Sequence, residues 1–154
     1  GAGGFGGMVA ADTFCQQDAN KFLLKGTYRA WVSYSEIANP STFFDPEFEG
    51  YYVLPSDPPI AIAKGWEGLT SGKLMAPINV TANGLKIIPP AVIWTNTLPN
   101  GKQDNPRQDC ANWTTNNIGL MGKFGMSDQT DSKWTTYGVK NCNDGGKLYC
   151  FQID

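Results

Sequence analysis

The sequence predicts an α+β domain with one main helix, several short strands and long loops, and three observations predict it. Helical periodicity over residues 12–24 gives way to strand alternation over 27–34. Residues 37–59 are dense in Pro and aromatic side chains that break regular structure, and short apolar stretches with strand character recur at 91–95 and 147–153. Separate helical and strand segments without a repeating βαβ pattern define the α+β class. At 154 residues the chain suits one core and needs no internal linker.

Taken in order, residues 1–11 form a Gly-rich lead-in and 12–154 the domain itself. The lead-in lacks the Lys-Ser/Thr ending and the preceding strand of a phosphate loop, so a connector or tight turn is expected. It carries neither the charged start nor the apolar stretch of a signal peptide, and a leader or anchor further upstream is expected instead. Asp12 reads as a helix N-cap, Cys15, Ala19, Phe22 and Leu23 recur at helical spacing, and Gly26 reads as the C-terminal cap. The strand that follows sets Tyr28, Ala30 and Val32 on one face and Arg29, Trp31 and Ser33 on the other. Aromatics on both faces predict a central strand packed on two sides.

Residues 37–59 read as an irregular loop, either a contact surface or a lid folded onto the core. Trp66, Glu67, Gly68 and Leu69 read as a short helical turn, and Leu98 to Gly101 as a turn behind the 91–95 strand. The last strand places Leu148, Cys150 and Gln152 on one side.

Composition excludes several functions. Apolar residues make up 41% of the chain, with eight Phe, six Tyr and five Trp, enough to build a core and leave aromatics over. Charged residues are 17%, and 12 basic against 14 acidic side chains leave a net charge of −2 with no basic run, which argues against a nucleic-acid or general polyanion binder. No stretch approaches the roughly 18 apolar residues of a membrane helix.

Cys15, Cys110, Cys142 and Cys150 are an even set with no CxxC pair, which favours disulfides in an oxidising compartment over a zinc cluster. Four cysteines allow three connectivities, and spacing does not choose among them. The sequence has no histidine, which removes Ser-His-Asp and Cys-His nucleophile activation and imidazole bases together. With the cysteines paired, no thiolate nucleophile remains. The expectation is therefore a protein that is not an enzyme.

Gly6, Gly7 and Met8, then Ala11, Asp12, Cys15 and Gln16, and the run from Gly26 to Ala30 resemble the opening of the endostatin domain. They are still more similar to the leptospiral endostatin-like surface lipoproteins, a family of bacterial domains. Pro59, Trp66, Glu67, Leu69, Gly72, the run 92–95, Asn100, Gly101, Cys110, Asn112, Trp113, Cys142 and 148–150 continue the resemblance in the same order. It implies a C-type-lectin-like mixed sheet with nested bridges, Cys15 to Cys150 and Cys110 to Cys142. It also implies export, outer-surface display and binding of host or matrix ligands. The family's zinc-binding histidines have no counterpart here, and only Arg29 and Arg107 stand where a heparin surface needs many arginines.

The candidate contact surface joins the aromatic loop, with Phe43, Phe44, Phe48, Tyr51 and Tyr52, to two polar loops carrying Asp104, Asn105, Asn112 and Trp113, and Asp128, Asp131 and Trp134. Asp104-Asn105-Pro106 and Asn112-Trp113 echo a lectin calcium pattern to which Asp104, Asn105 and Asp109 could contribute oxygens, and residues 127–131 and 143–146 are oxygen-rich, but none has a recognised calcium spacing and a solvated turn is the favoured reading. Asn79-Val80-Thr81 and Asn112-Trp113-Thr114 match the short glycosylation pattern. Asp45, Glu47 and Glu49 crowd one loop with no acid clearly facing them across a sugar, which leaves a carboxylate-driven glycosidase as the weakest reading.

The expected function is that of an adhesin or ligand-binding domain for an extracellular protein or glycan. It needs no cofactor, nucleic acid or membrane insertion. The alternative is a tip or subunit of a fibre or coat, with the Gly-rich start joining an oligomer interface or an upstream stalk.

Overall fold

Residues 28–34 are the axis around which everything else packs. The structure, a computed structural model, describes residues 1–154. Strand β1, Tyr28–Ala30, pairs antiparallel with the last strand, Cys150–Gln152. The extended course then continues: the Trp31 N–H donates to the Tyr149 carbonyl at 2.9 Å and the Ser33 N–H to the Thr95 carbonyl at 3.1 Å. Side-chain alternation divides the core in two. Ala30, Val32 and Tyr34 join Cys15, Trp94, Trp113 and Phe124 on one side, while Trp31 joins Phe44, Leu69, Trp134 and Phe151 on the other. The expected two-sided burial of this stretch is what the fold is built on.

Helix α1 spans Gly7–Lys21, five residues earlier than the sequence pattern suggests, so the 11/12 boundary falls inside it. The lead-in belongs to the domain: the Gly3 N–H donates to Cys142 and the Gly6 N–H to Trp113. Asp12 is not the N-cap. Its carboxylate accepts from Arg29 Nε at 2.8 Å and from the Ala30 N–H at 3.0 Å, and Gln16 Oε1 accepts from the Tyr28 N–H at 2.8 Å. These two side chains lash α1 to β1 and occupy the outer edge of that strand. Gly26 is not the cap either. Leu23 takes the left-handed conformation at φ 59°, and the Leu24 N–H returns to Ala19 while Leu23 returns to Asn20, the double closure usually built on glycine. Leu23 is 87% exposed rather than inward, because the buried stripe is Ala11, Cys15 and Ala19.

The stretch 37–59 is less irregular than its prolines suggest. It contains a single-turn helix α2, Pro40–Phe43, and a strand β2, Tyr51–Leu54, which forms a hairpin with β3, Ile60–Lys64. The expected helical turn follows as α3, Gly65–Leu69. Strand β4, Val92–Trp94, then pairs with β5, Met121–Met126, and β5 with β6, Gly138–Asn141. The C-terminal strand, Cys150–Gln152, is β7. The sheets are thus three small antiparallel ones rather than one mixed sheet, and the one parallel element is a bridge between Ile93 and Lys147. β5 escapes sequence reading because Gly122 and Gly125 interrupt its alternation. A Cβ at Gly122 would stand 2.8 Å from the Trp94 ring, and one at Gly125 would collide with the Trp134 carbonyl.

The bridges are Cys15–Cys150 and Cys110–Cys142, with Cα separations of 5.4 and 5.6 Å. The second is nested inside the first, and no cysteine is free.

Candidate functional site

The main concavity is a groove of about 1100 Å³ between α1 and the β2–β3 hairpin, with β7 along its floor. One wall is the outer face of α1, where Ala10 and the half-exposed Phe14 alternate with Asp18. The opposite wall carries Tyr51 and Val53, both more than half exposed, with Ile78, Val80 and Ile87 beyond them. Phe48 meets Tyr52 edge-on at 4.9 Å at one end, and Tyr52 meets Phe151 at 5.7 Å below. Burial pushes the Tyr52 hydroxyl up to about 12, and the negative Asp45 nearby adds to the shift. Tyr52 therefore offers a protonated hydroxyl at neutral pH.

The aromatic-loop residues divide. Phe48, Tyr51 and Tyr52 line this groove. Phe43 is half-buried under the Arg29 guanidinium, 3.8 Å above its ring, an arrangement that fixes the end of β1. Phe44, expected at the contact surface, is instead 4% exposed, with its ring in the core against Trp31 and Phe151 and almost no surface for a partner. Trp113 and Trp134, also expected at the contact surface, are both fully buried. The Trp113 indole N–H donates to the Ser33 carbonyl at 3.0 Å, and the Trp134 ring stacks at an angle on Trp31.

The polar loops do not reach the groove. Asp104 pairs with Lys123 at 2.8 Å, and Asn105 exchanges hydrogen bonds with Asn96 at 2.7 and 3.0 Å, so both stitch a loop to β4 and β5. Asp131 accepts from the Lys133 N–H at 2.9 Å and caps a 3₁₀ turn, Ser132–Trp134, while Asp128 is exposed. Asn112 lies in a smaller concavity of about 510 Å³ with Tyr34, Gln103 and Asp109. Here Cys110 to Trp113 run through four successive positive φ angles of 52–61°, a left-handed turn costing roughly 1–2 kcal/mol per residue. The Cys110–Cys142 bridge, the Trp113 anchor and the Asp109 side chain accepting from the Asn112 N–H hold it. Burial raises the Asp109 pKa against those hydrogen bonds, and the buried Tyr34 hydroxyl has no partner.

No three His, Cys, Asp or Glu side chains stand close enough together to hold a metal ion. No helix is long and apolar enough to cross a membrane. The helix wall of the groove was not foreseen. Phe14 and Asp18 lay within the predicted helix, and their exposure could have been read from the helical spacing of Cys15 and Ala19, which puts both outside the buried stripe.

No family model matches the chain, and no curated protein matches it. Fold and site define its class as a small α+β domain, closed by two disulfides that fit an oxidising environment and opened on one side by an apolar, aromatic-rimmed groove.

Proposed function

We propose that this chain is an exported, outer-surface ligand-binding domain of endostatin-like, C-type-lectin-like type that holds an extracellular protein or glycan in the groove between α1 and β2–β3. The groove itself carries the reading. Soluble domains seldom leave a contiguous apolar concavity of this size open without a partner, and exposed aromatics at its rim are the side chains that anchor ligands. The available chemistry points the same way: without histidine or a free thiol, the usual nucleophile–base pairs cannot be assembled. Nor does binding here call on an ion, since the groove's polar groups are few and separated.

A glycan and matrix-protein binding array, run with calcium and with EDTA, tests the reading. Specific retention that survives EDTA is expected. Retention abolished by EDTA would replace it with an ion-dependent lectin mechanism, and hydrolysis of a retained glycan would replace it with an enzyme.

A further inference from the structure

The second concavity, of about 510 Å³, lies between residues 34–37 and 103–112 and shares no lining residue with the groove. Two carboxylates, Glu36 and Asp109, line it, and no lysine or arginine does. Glu36 is exposed, whereas Asp109 is only 6% exposed. Asp109 belongs to none of the chain's ion pairs. Its Oδ1 accepts from the Asn112 N–H at 3.1 Å, and the Asn112 amide, turned so that its nitrogen faces the acceptors, reaches Oδ2 only at 3.3 Å. The charge is thus hydrogen-bonded but met by no opposite charge, an arrangement that buried carboxylates normally avoid.

The fold itself does not call for this charge. Asparagine at 109 would accept the same N–H, and burial raises the Asp109 pKa because it disfavours the ionised form. What the ionised form lacks is a cation brought from outside. A bare metal ion does not suit the donors: calcium takes roughly six to eight oxygens, and no third acidic side chain joins these two in a metal-holding group. A planar guanidinium, with donors on three sides, suits acceptors spread around a space this wide. Beside it stands a rigid apolar tip. Ile37 is 85% exposed on a turn in which the Ser35 hydroxyl accepts from the Ile37 and Ala38 N–H groups at 3.3 and 3.0 Å. The buried Asn39 amide closes the turn from below, donating to the Ser35 and Glu36 carbonyls at 3.0 Å each. A tip ordered in advance costs little further entropy when a partner meets it.

We propose that this concavity is a second binding site, in which Asp109 and Glu36 take the guanidinium of an arginine carried by a partner polypeptide. Ile37 and Pro106 cover the arginine's aliphatic stem and the apolar residue next to it, and the Gln103 amide supplies a further acceptor. The exposed Ile37 is the reason for a polypeptide rather than a small free guanidinium compound, since it offers apolar contact beyond the concavity itself. Keeping a buried charge at the expense of stability is what binding sites do and cores do not. The site stands whether or not the groove binds.

The probe is acetyl-Leu-Arg amide, added to the intact disulfide-bonded chain. Its controls are the same peptide with citrulline, the uncharged isostere of arginine, and acetyl-Arg amide, which lacks the leucine. Two-dimensional NMR follows the Ile37 methyl groups and the Asn112 and Gln103 side-chain amides. A dissociation constant of about 1 mM is expected for the parent peptide, at least about tenfold weaker for the citrulline peptide and for the Asp109→Asn variant, and about threefold weaker for acetyl-Arg amide. Asp109→Asn keeps the acceptor for the Asn112 N–H, and an unmoved Trp113 indole signal shows that the variant is folded. Equal affinity for the citrulline peptide, unaltered affinity in Asp109→Asn, or no change in the spectrum up to about 10 mM peptide would overturn the proposal. Shifts at Tyr51 and Val53 in place of Ile37 would overturn it in favour of the groove. Equal affinity for acetyl-Arg amide would remove the polypeptide partner, and calcium chloride alone moving the same signals and displacing the peptide would make this a metal site instead.

Discussion

Removing the Cys15–Cys150 bridge by a Cys15→Ala, Cys150→Ala double substitution isolates the largest single constraint on the unfolded chain. The bridge spans 135 residues, against 32 for Cys110–Cys142. The loop-entropy relation assigns about 5 kcal/mol to the outer bridge and about 4 kcal/mol to the inner one. On loop closure the outer bridge is the costlier to lose. A domain of this size is stable by about 5–15 kcal/mol, so the outer variant is expected to be marginal. Urea titration followed by tryptophan fluorescence measures it. With a slope near 2 kcal/mol per molar, the midpoint should fall by about 2.5 M. A fall under about 0.5 M, or a larger fall for the inner-bridge variant, would contradict loop closure as the source of the stability.

Three further substitutions probe local features. Thr135→Val removes the hydroxyl that accepts from the Trp31 indole and donates to the Thr97 carbonyl, each at 2.8 Å in the core, and should cost about 1–3 kcal/mol in urea titration. Thr135→Ser should recover most of that loss, and a loss confined to Thr135→Ser would point to the methyl group instead. Leu23→Gly replaces an exposed residue at φ 59° with one that adopts it freely, and should raise stability by about 0.5–1 kcal/mol. A loss would mean that the leucine side chain is needed there. Asp109→Asn keeps the acceptor for the Asn112 N–H while removing a charge that burial disfavours. Because burial raises the folded-state pKa, the folded protein holds this proton more tightly than the unfolded chain does. Wild type consequently loses stability as pH rises from the ordinary aspartate value, about 3.9, through the raised one. The variant should match wild type near pH 3 and exceed it near pH 7, and a difference constant across that range would count against it.

The sequence made the axis of the fold legible because a half-polar strand with aromatics on both sides has few other places to go. Trp31 on one face and Val32 on the other required two layers, and two core clusters are found there. Helix ends were misread for a specific reason. Asp12 has the chemistry of a cap, yet its carboxylate is taken by Arg29 and Ala30, partners 17 and 18 residues away that no local rule anticipates. Strand β5 was hidden because Gly122 and Gly125 make room for Trp94 and Trp134, so tertiary crowding overrides strand propensity.

The contact surface was legible only in its aromatic half. Phe48, Tyr51 and Tyr52 fall together because the β2–β3 hairpin raises them beside β7, whereas Phe44, Trp113 and Trp134 are the rings that fill the core. Aromatic content alone cannot separate an anchor for a ligand from an anchor for the fold, since both roles favour the same large side chains. The polar loops were credited with ligand contacts for their oxygens, but Asp104, Asn105 and Asp131 already satisfy neighbours within the chain.

The groove as the binding site is tested most directly by affinity for a ligand retained on the array, measured for wild type, for Phe14→Asp with Tyr51→Asp, and for Ile118→Asp. Phe14 and Tyr51 stand on opposite walls and are 53% exposed each, so neither substitution empties the core, while Ile118 is 70% exposed and lies outside the groove. Two lost aromatic anchors should weaken binding by at least about 100-fold, with the urea midpoint unchanged and the Ile118 variant binding as wild type does. Undiminished affinity in the double variant, or equal loss in the Ile118 variant, would contradict the groove as the place where this domain holds its ligand.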